Sequence, residues 1–140
     1  MRLPHFDAFG TDFENEWEKF LKKFYKRNHR DALGDIRQIV QDAMTIICKK
    51  KAIPLPEESN RNPNTLVGKL IENNVLEGKF QEWTKAFTAF SNVGGHSRVE
   101  PTDTELYDPV FRKRIVLVIM LGVQLIEELQ KFLKQDDHIY

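Results

Sequence analysis

The chain has 140 residues, 41% of them hydrophobic and 30% charged; that is long enough for one core needing neither disulfide nor structural metal, and too apolar for a disordered or fibrous protein. Its 21 lysines and arginines balance 21 aspartates and glutamates, which excludes a global basic field for non-specific nucleic-acid binding. A single cysteine, Cys48, excludes an internal disulfide, and the four scattered histidines have no metal-ligand spacing. A cytoplasmic protein with no metal and no cofactor is the expectation. The N-terminus lacks the apolar core of a secretory signal, and the most apolar stretch, Ile115 to Val123, is about half a bilayer span. No membrane partner is expected.

In chain order, Thr11-Asp12-Phe13-Glu14 has the pattern of a capping box, predicting a helix over about 12–28 with Phe13, Trp17, Phe20, Leu21 and Phe24 as its apolar stripe. A second helix over about 31–51 carries Leu33, Ile36, Val40, Ala43 and Ile47 on one face. Pro54 and Pro56 end it, and 53–63 reads as a loop. Asn62-Pro63-Asn64-Thr65 starts a short third helix that Asn73-Asn74 closes. A fourth, about 77–91, places Phe80, Trp83, Phe87 and Phe90 on a face expected to point inward, and Gly94-Gly95 are expected to stop it.

Asp108-Pro109 offers an N-cap and a first-turn proline for a last helix over about 109–135. Its run Ile115 to Val123 fits a buried strand as well as a helix. The stripe Leu125, Ile126, Leu129, Phe132 and Leu133 and the lack of a second strand favour helix. Its apolar centre suggests a helix surrounded by the others. The expected fold class is therefore an all-α bundle of four to five helices, one domain over 1–140 with 1–29 as an N-terminal helical extension.

Chemistry concentrates around Phe90-Ser91-Asn92-Val93-Gly94-Gly95-His96. His5 and His138 lie near the chain ends and His29 in a basic helix junction. His96 follows a glycine pair that permits close approach, and imidazole titrates near neutrality, so this setting suits acid/base work. Ser91, Asn92, Ser97 and Arg98 are polar neighbours able to orient it. The plainer alternative has Asn92 capping the helix, Gly94 and Gly95 turning the chain, and His96 bonding a backbone carbonyl.

A helix like Arg30-Asp31-Ala32-Leu33-Gly34-Asp35-Ile36-Arg37 is followed by a loop and a short helix like Leu66-Val67-Gly68-Lys69-Leu70-Ile71. An aromatic helix ending in Asn92-Val93-Gly94-Gly95-His96 and a long apolar final helix complete the order. Over roughly 30–135 this resembles the HEPN superfamily, especially its Abi-like, abortive-infection C-terminal branch. The resemblance implies an up-and-down bundle, homodimerisation, and a phage-defence or toxin-antitoxin setting with RNA or a protein as partner.

Active members of that family are metal-independent endoribonucleases in which an arginine four to six residues before a histidine stabilises charge at a scissile phosphate. His96 matches the histidine and Asn92 the intervening polar residue, as the catalytic candidates. Where the arginine should stand, the chain has Ala89, Phe90 and Ser91. Arg98, Arg112 and Arg114 are the cations that would substitute in space, and Ser91, Gly94, Gly95 and Ser97 complete the candidate binding residues. Three functions follow: a degraded module that dimerises and binds RNA or protein, a nuclease using a non-standard arginine, or a structural oligomerisation domain.

Overall fold

The computed structural model describes residues 2–95 and 109–137, and the side chains of 2–91 and 112–134. Within them the chain forms five α-helices and no strand: α1 (Thr11–Tyr25), α2 (His29–Lys50), α3 (Pro63–Glu72), α4 (Lys79–Gly95) and α5 (Pro109–Asp137), with a short 3-10 turn at Glu58–Asn60 before α3. The fold is an all-α bundle. The run Ile115 to Val123 is helical, as the stripe that follows it requires.

α2 is the central element. It packs against α1, α3, α4 and α5, most extensively against α5, while α3 meets α4 and α4 meets α5. The expectation that the last helix is the surrounded one is thus corrected: α5 keeps one side open, and Leu117 within its apolar run is 66% exposed. α2 earns its position from apolar residues on more than one face: Ala32, Leu33, Ile36, Ile39, Val40, Ala43, Met44, Ile47 and Cys48 are all buried.

The helix starts show which local signals operate. Asn62 accepts a hydrogen bond from the Thr65 amide at 3.0 Å with Pro63 in the first turn, an N-cap as expected. Thr11 is not a cap. It lies inside α1, whose N-cap is Gly10 at φ +102°, and no side chain bonds a free amide there. The Glu14 amide instead reaches the Gly10 carbonyl at 3.0 Å. Only glycine takes that left-handed backbone without strain, so the chain enters α1 by a turn that the capping-box pattern does not encode.

The N-terminal segment is anchored by aromatic packing. Phe6, Trp17 and Phe20 are fully buried, the Phe6 and Trp17 ring centroids lie 4.7 Å apart, and the indole N–H of Trp17 donates to the Pro4 carbonyl at 3.0 Å. Lys23 reaches Asp35 at 2.8 Å, tying α1 to α2.

α4 rotates away from its expected face. Phe80, Thr84, Phe87, Thr88 and Ser91 are buried, Trp83 is half-buried and Phe90 is 58% exposed. At about 100° per residue, Ser91 turned inward carries Phe90 to the side of the helix. The small Thr84, Thr88 and Ser91 hold the inner face, so two of the four aromatics, not all, belong to the core. Gly94 and Gly95 lie within α4 and do not stop it at 91. A helical glycine costs about 1 kcal/mol relative to alanine, a penalty that an otherwise well-packed helix can absorb.

α5 meets its neighbours closely at Gly122. A β-carbon there would sit 2.8 Å from Phe87 Cε2 and 2.9 Å from Ile36 Cγ1, so the absent side chain lets α5 seat against α2 and α4 at once.

Candidate functional site

The described part of the site lies where the end of α4, the first turns of α2 and the start of α5 meet. Ser91, at the start of the motif, is 1% exposed, and its hydroxyl donates to the Thr88 carbonyl at 3.2 Å. It anchors the turn inward rather than presenting a polar group to a ligand. Asn92, Gly94 and Gly95 continue α4 along the backbone. His96, Ser97 and Arg98 lie outside the described residues, as does the side chain of Asn92.

Phe90 opens onto a hollow of about 430 Å³ that it lines together with Leu33 of α2 and Arg114, Ile115, Leu117, Val118 and Leu121 of α5. Arg114, the sixth residue of the long helix, is therefore brought beside the last turns of α4. Of Ala89, Phe90 and Ser91, the positions where the resemblance expects an arginine, the first two are exposed and the third is buried, and Arg114 of α5 lines the same hollow as Phe90.

Arg112 and Lys113 flank a second, shallower hollow with Val116 and Leu117. Lys113 and Arg114 are exposed, and neither has an ion-pair partner among the described residues. Three basic residues in the first turn and a half of a helix are repelled by its dipole. The arrangement is mildly costly for the fold alone.

Arg112 is half-buried, and its charge is felt at His29 at the start of α2. There His29 packs its ring 5.5 Å from that of Phe24. Burial first, and then the charges of Arg112 and Arg27, hold its imidazole below the ordinary value of 6.5. The junction thus contains a histidine whose protonation is disfavoured by burial and by a nearby arginine, a pairing that the sequence signals only by proximity of basic residues at 26–30.

Sequence reasoning missed the exposure of Leu117. Leu33 and Val118 read as core by periodicity and are buried, whereas nothing in the spacing marks Leu117 as outward-facing. Cys48 is buried and its thiol is pushed up by burial, the opposite of an activated nucleophile. Among the described residues no group of histidine, cysteine, aspartate and glutamate side chains is placed to hold a metal ion, and no helix is long and apolar enough to cross a membrane.

No family model, curated protein or solved structure matches this chain.

Proposed function

We propose that this protein is a HEPN-like module of a phage-defence or toxin-antitoxin system that acts by association, dimerising and binding RNA or a protein partner, with a degraded nuclease motif. The observation that carries this reading is the hollow shared by Phe90, Leu117 and Arg114: two large apolar side chains stand exposed beside a cation at the motif's end of the bundle. Exposed apolar surface rimmed by charge is the chemistry of a binding face. Ala89, Phe90 and Ser91 in place of the family's arginine remove the electrostatic term that phosphoryl transfer relies on.

Incubation of the purified protein with total RNA in excess chelator tests it. The RNA is expected to stay intact. Cleavage by the wild type that disappears in His96→Ala would overturn the degraded-motif reading.

One observation favours a second reading. Arg114 lies on the same hollow as Phe90, two positions before Asn92, and so, among the described residues, is the cation best placed to replace the absent arginine. In that case His96 moves the proton and Arg114 stabilises charge, and Arg114→Ala abolishes cleavage along with His96→Ala. RNA left intact by the wild type eliminates this reading.

A further inference from the structure

On α5 the residues Arg114, Leu117, Leu121, Gln124, Glu128 and Lys131 follow one another at alternating steps of three and four. That spacing puts them in a single seam along the helix. This is the side that α5 turns away from α2: Arg114, Gln124 and Lys131 are exposed, Leu117 is 66% exposed, and Leu121 and Glu128 are partly so. Leu117 stands as a knob between two hollows, one running to Phe90 and Leu121 and the other to Arg112 and Val116. An exposed apolar knob flanked by open hollows is a surface that a second copy can cover.

The charges of the seam have the same self-complementarity. Arg114 and Glu128 lie seven residues before and after Leu121, about 10 Å along the axis in each direction at 1.5 Å per residue. Two copies of the helix laid antiparallel about Leu121 bring each Arg114 opposite the partner's Glu128. A parallel pair would set Arg114 against its own copy and is disfavoured. Glu128 already holds Lys131 at 3.1 Å in the same chain, and Arg114 of the second copy would join that pair from the other side. Gln124 places one polar residue in the seam, a feature that fixes register at a cost in stability.

We infer that the open side of α5 is a homodimer interface, in which two copies pack antiparallel about Leu121, with the exposed Leu117 of each covered by the partner's helix and Arg114 paired to the partner's Glu128. The inference rests on the self-association in the proposed function and names its surface and register. It also uses Arg114 for assembly, which removes that residue from RNA chemistry.

Sedimentation velocity of the full chain tests it. Leu117→Glu, at a position whose exposure spares the fold, is expected to yield monomer with unchanged helical content by circular dichroism. Arg114→Glu and Glu128→Arg should each weaken the dimer roughly tenfold, since each disrupts two symmetric exposed pairs worth about threefold apiece. The double reversal should return to within about threefold of the wild type. A dimer that survives Leu117→Glu overturns this surface while leaving self-association standing. A double reversal no better than the single ones overturns the antiparallel register. A wild type that is monomeric throughout overturns both the interface and the self-association on which it rests.

Discussion

Thr84 and His29 show how far individual side chains depart from what their positions in the sequence suggest. Thr84 is completely buried on the inner face of α4, and its hydroxyl has no hydrogen-bond partner. A buried unpaired hydroxyl costs on the order of 1–3 kcal/mol, whereas the isosteric valine has nothing to desolvate. Thr84→Val should therefore stabilise the protein by about 1 kcal/mol in urea denaturation. A loss of stability would mean that the hydroxyl has a partner after all. The same inner face explains Ser91, whose hydroxyl is turned to the Thr88 carbonyl and away from ligand. A polar residue beside a motif histidine is easily read as functional, and only burial separates the two roles.

His29 adds a pH dependence whose sign is fixed by its environment. Because burial and the neighbouring Arg112 and Arg27 lower its pKa from 6.5, the unfolded chain takes up the proton first as pH falls. Stability contributed by the neutral ring is complete above about 6.5 and is lost as pH drops through the lower folded value. Asp42 is shifted the other way, upward by burial and against the hydrogen bond from Gln38, so comparison with a variant is needed to isolate the histidine. Melting temperature followed from pH 7 to pH 5 should fall more steeply for the wild type than for His29→Gln. Parallel curves would show that the ring gains its proton as readily folded as unfolded.

At the scale of elements, the glycines separate two uses of the same residue. Gly34 is exposed in the second turn of α2 with open space where a β-carbon would go, while a β-carbon at Gly122 would lie under 3 Å from Phe87 and Ile36. Gly34→Ala is expected to stabilise by about 0.5–1 kcal/mol through helix propensity. Gly122→Ala gains the same propensity and still loses stability by roughly 1–3 kcal/mol, because the methyl group meets a packed aromatic ring. Chemical denaturation of the two variants reads both signs, and a stabilised Gly122→Ala would contradict the close seating of α5.

The helices themselves were legible because their apolar residues recur at three and four and because Asn62-Pro63 and the paired prolines after Ile53 are strong local punctuation. What periodicity could not fix was which arc of each stripe turns inward. In α4 the aromatics centre on Trp83, yet the buried arc centres on Thr84, Phe87 and Ser91, since small side chains allow closer approach than a line of rings would. In α5 an apolar run on every side hides its one open face, and so Leu117 gives no sign of exposure in the sequence. The same limit applied to the site. The motif positions 91–96 and the basic start of α5 were visible as separate segments, whereas their meeting through Phe90 and Arg114 depends on how two helices pack.

For the whole molecule, the arrangement around α2 leaves the bundle's core complete and one face unfinished. α1 with its aromatic cluster closes one side, α3 and α4 another, and α5 adds Ile119, Val123, Ile126 and Leu129 to the core. Among the described residues Phe90 and Leu117 remain outside at the same end and side as the basic start of α5, and Tyr25 is the other large exposed apolar side chain. A fold that needed only its own stability would gain little from an exposed leucine and phenylalanine there. The proposed association would give the reason, and Ala89, Phe90 and Ser91 in place of an arginine before His96 are consistent with that proposal.

The mass of the wild-type protein in solution tests that account most directly. Static light scattering across a concentration series should give a species of twice the 16.5 kDa chain, or about 33 kDa, that dissociates on dilution. A constant mass of one chain up to the highest attainable concentration would contradict it.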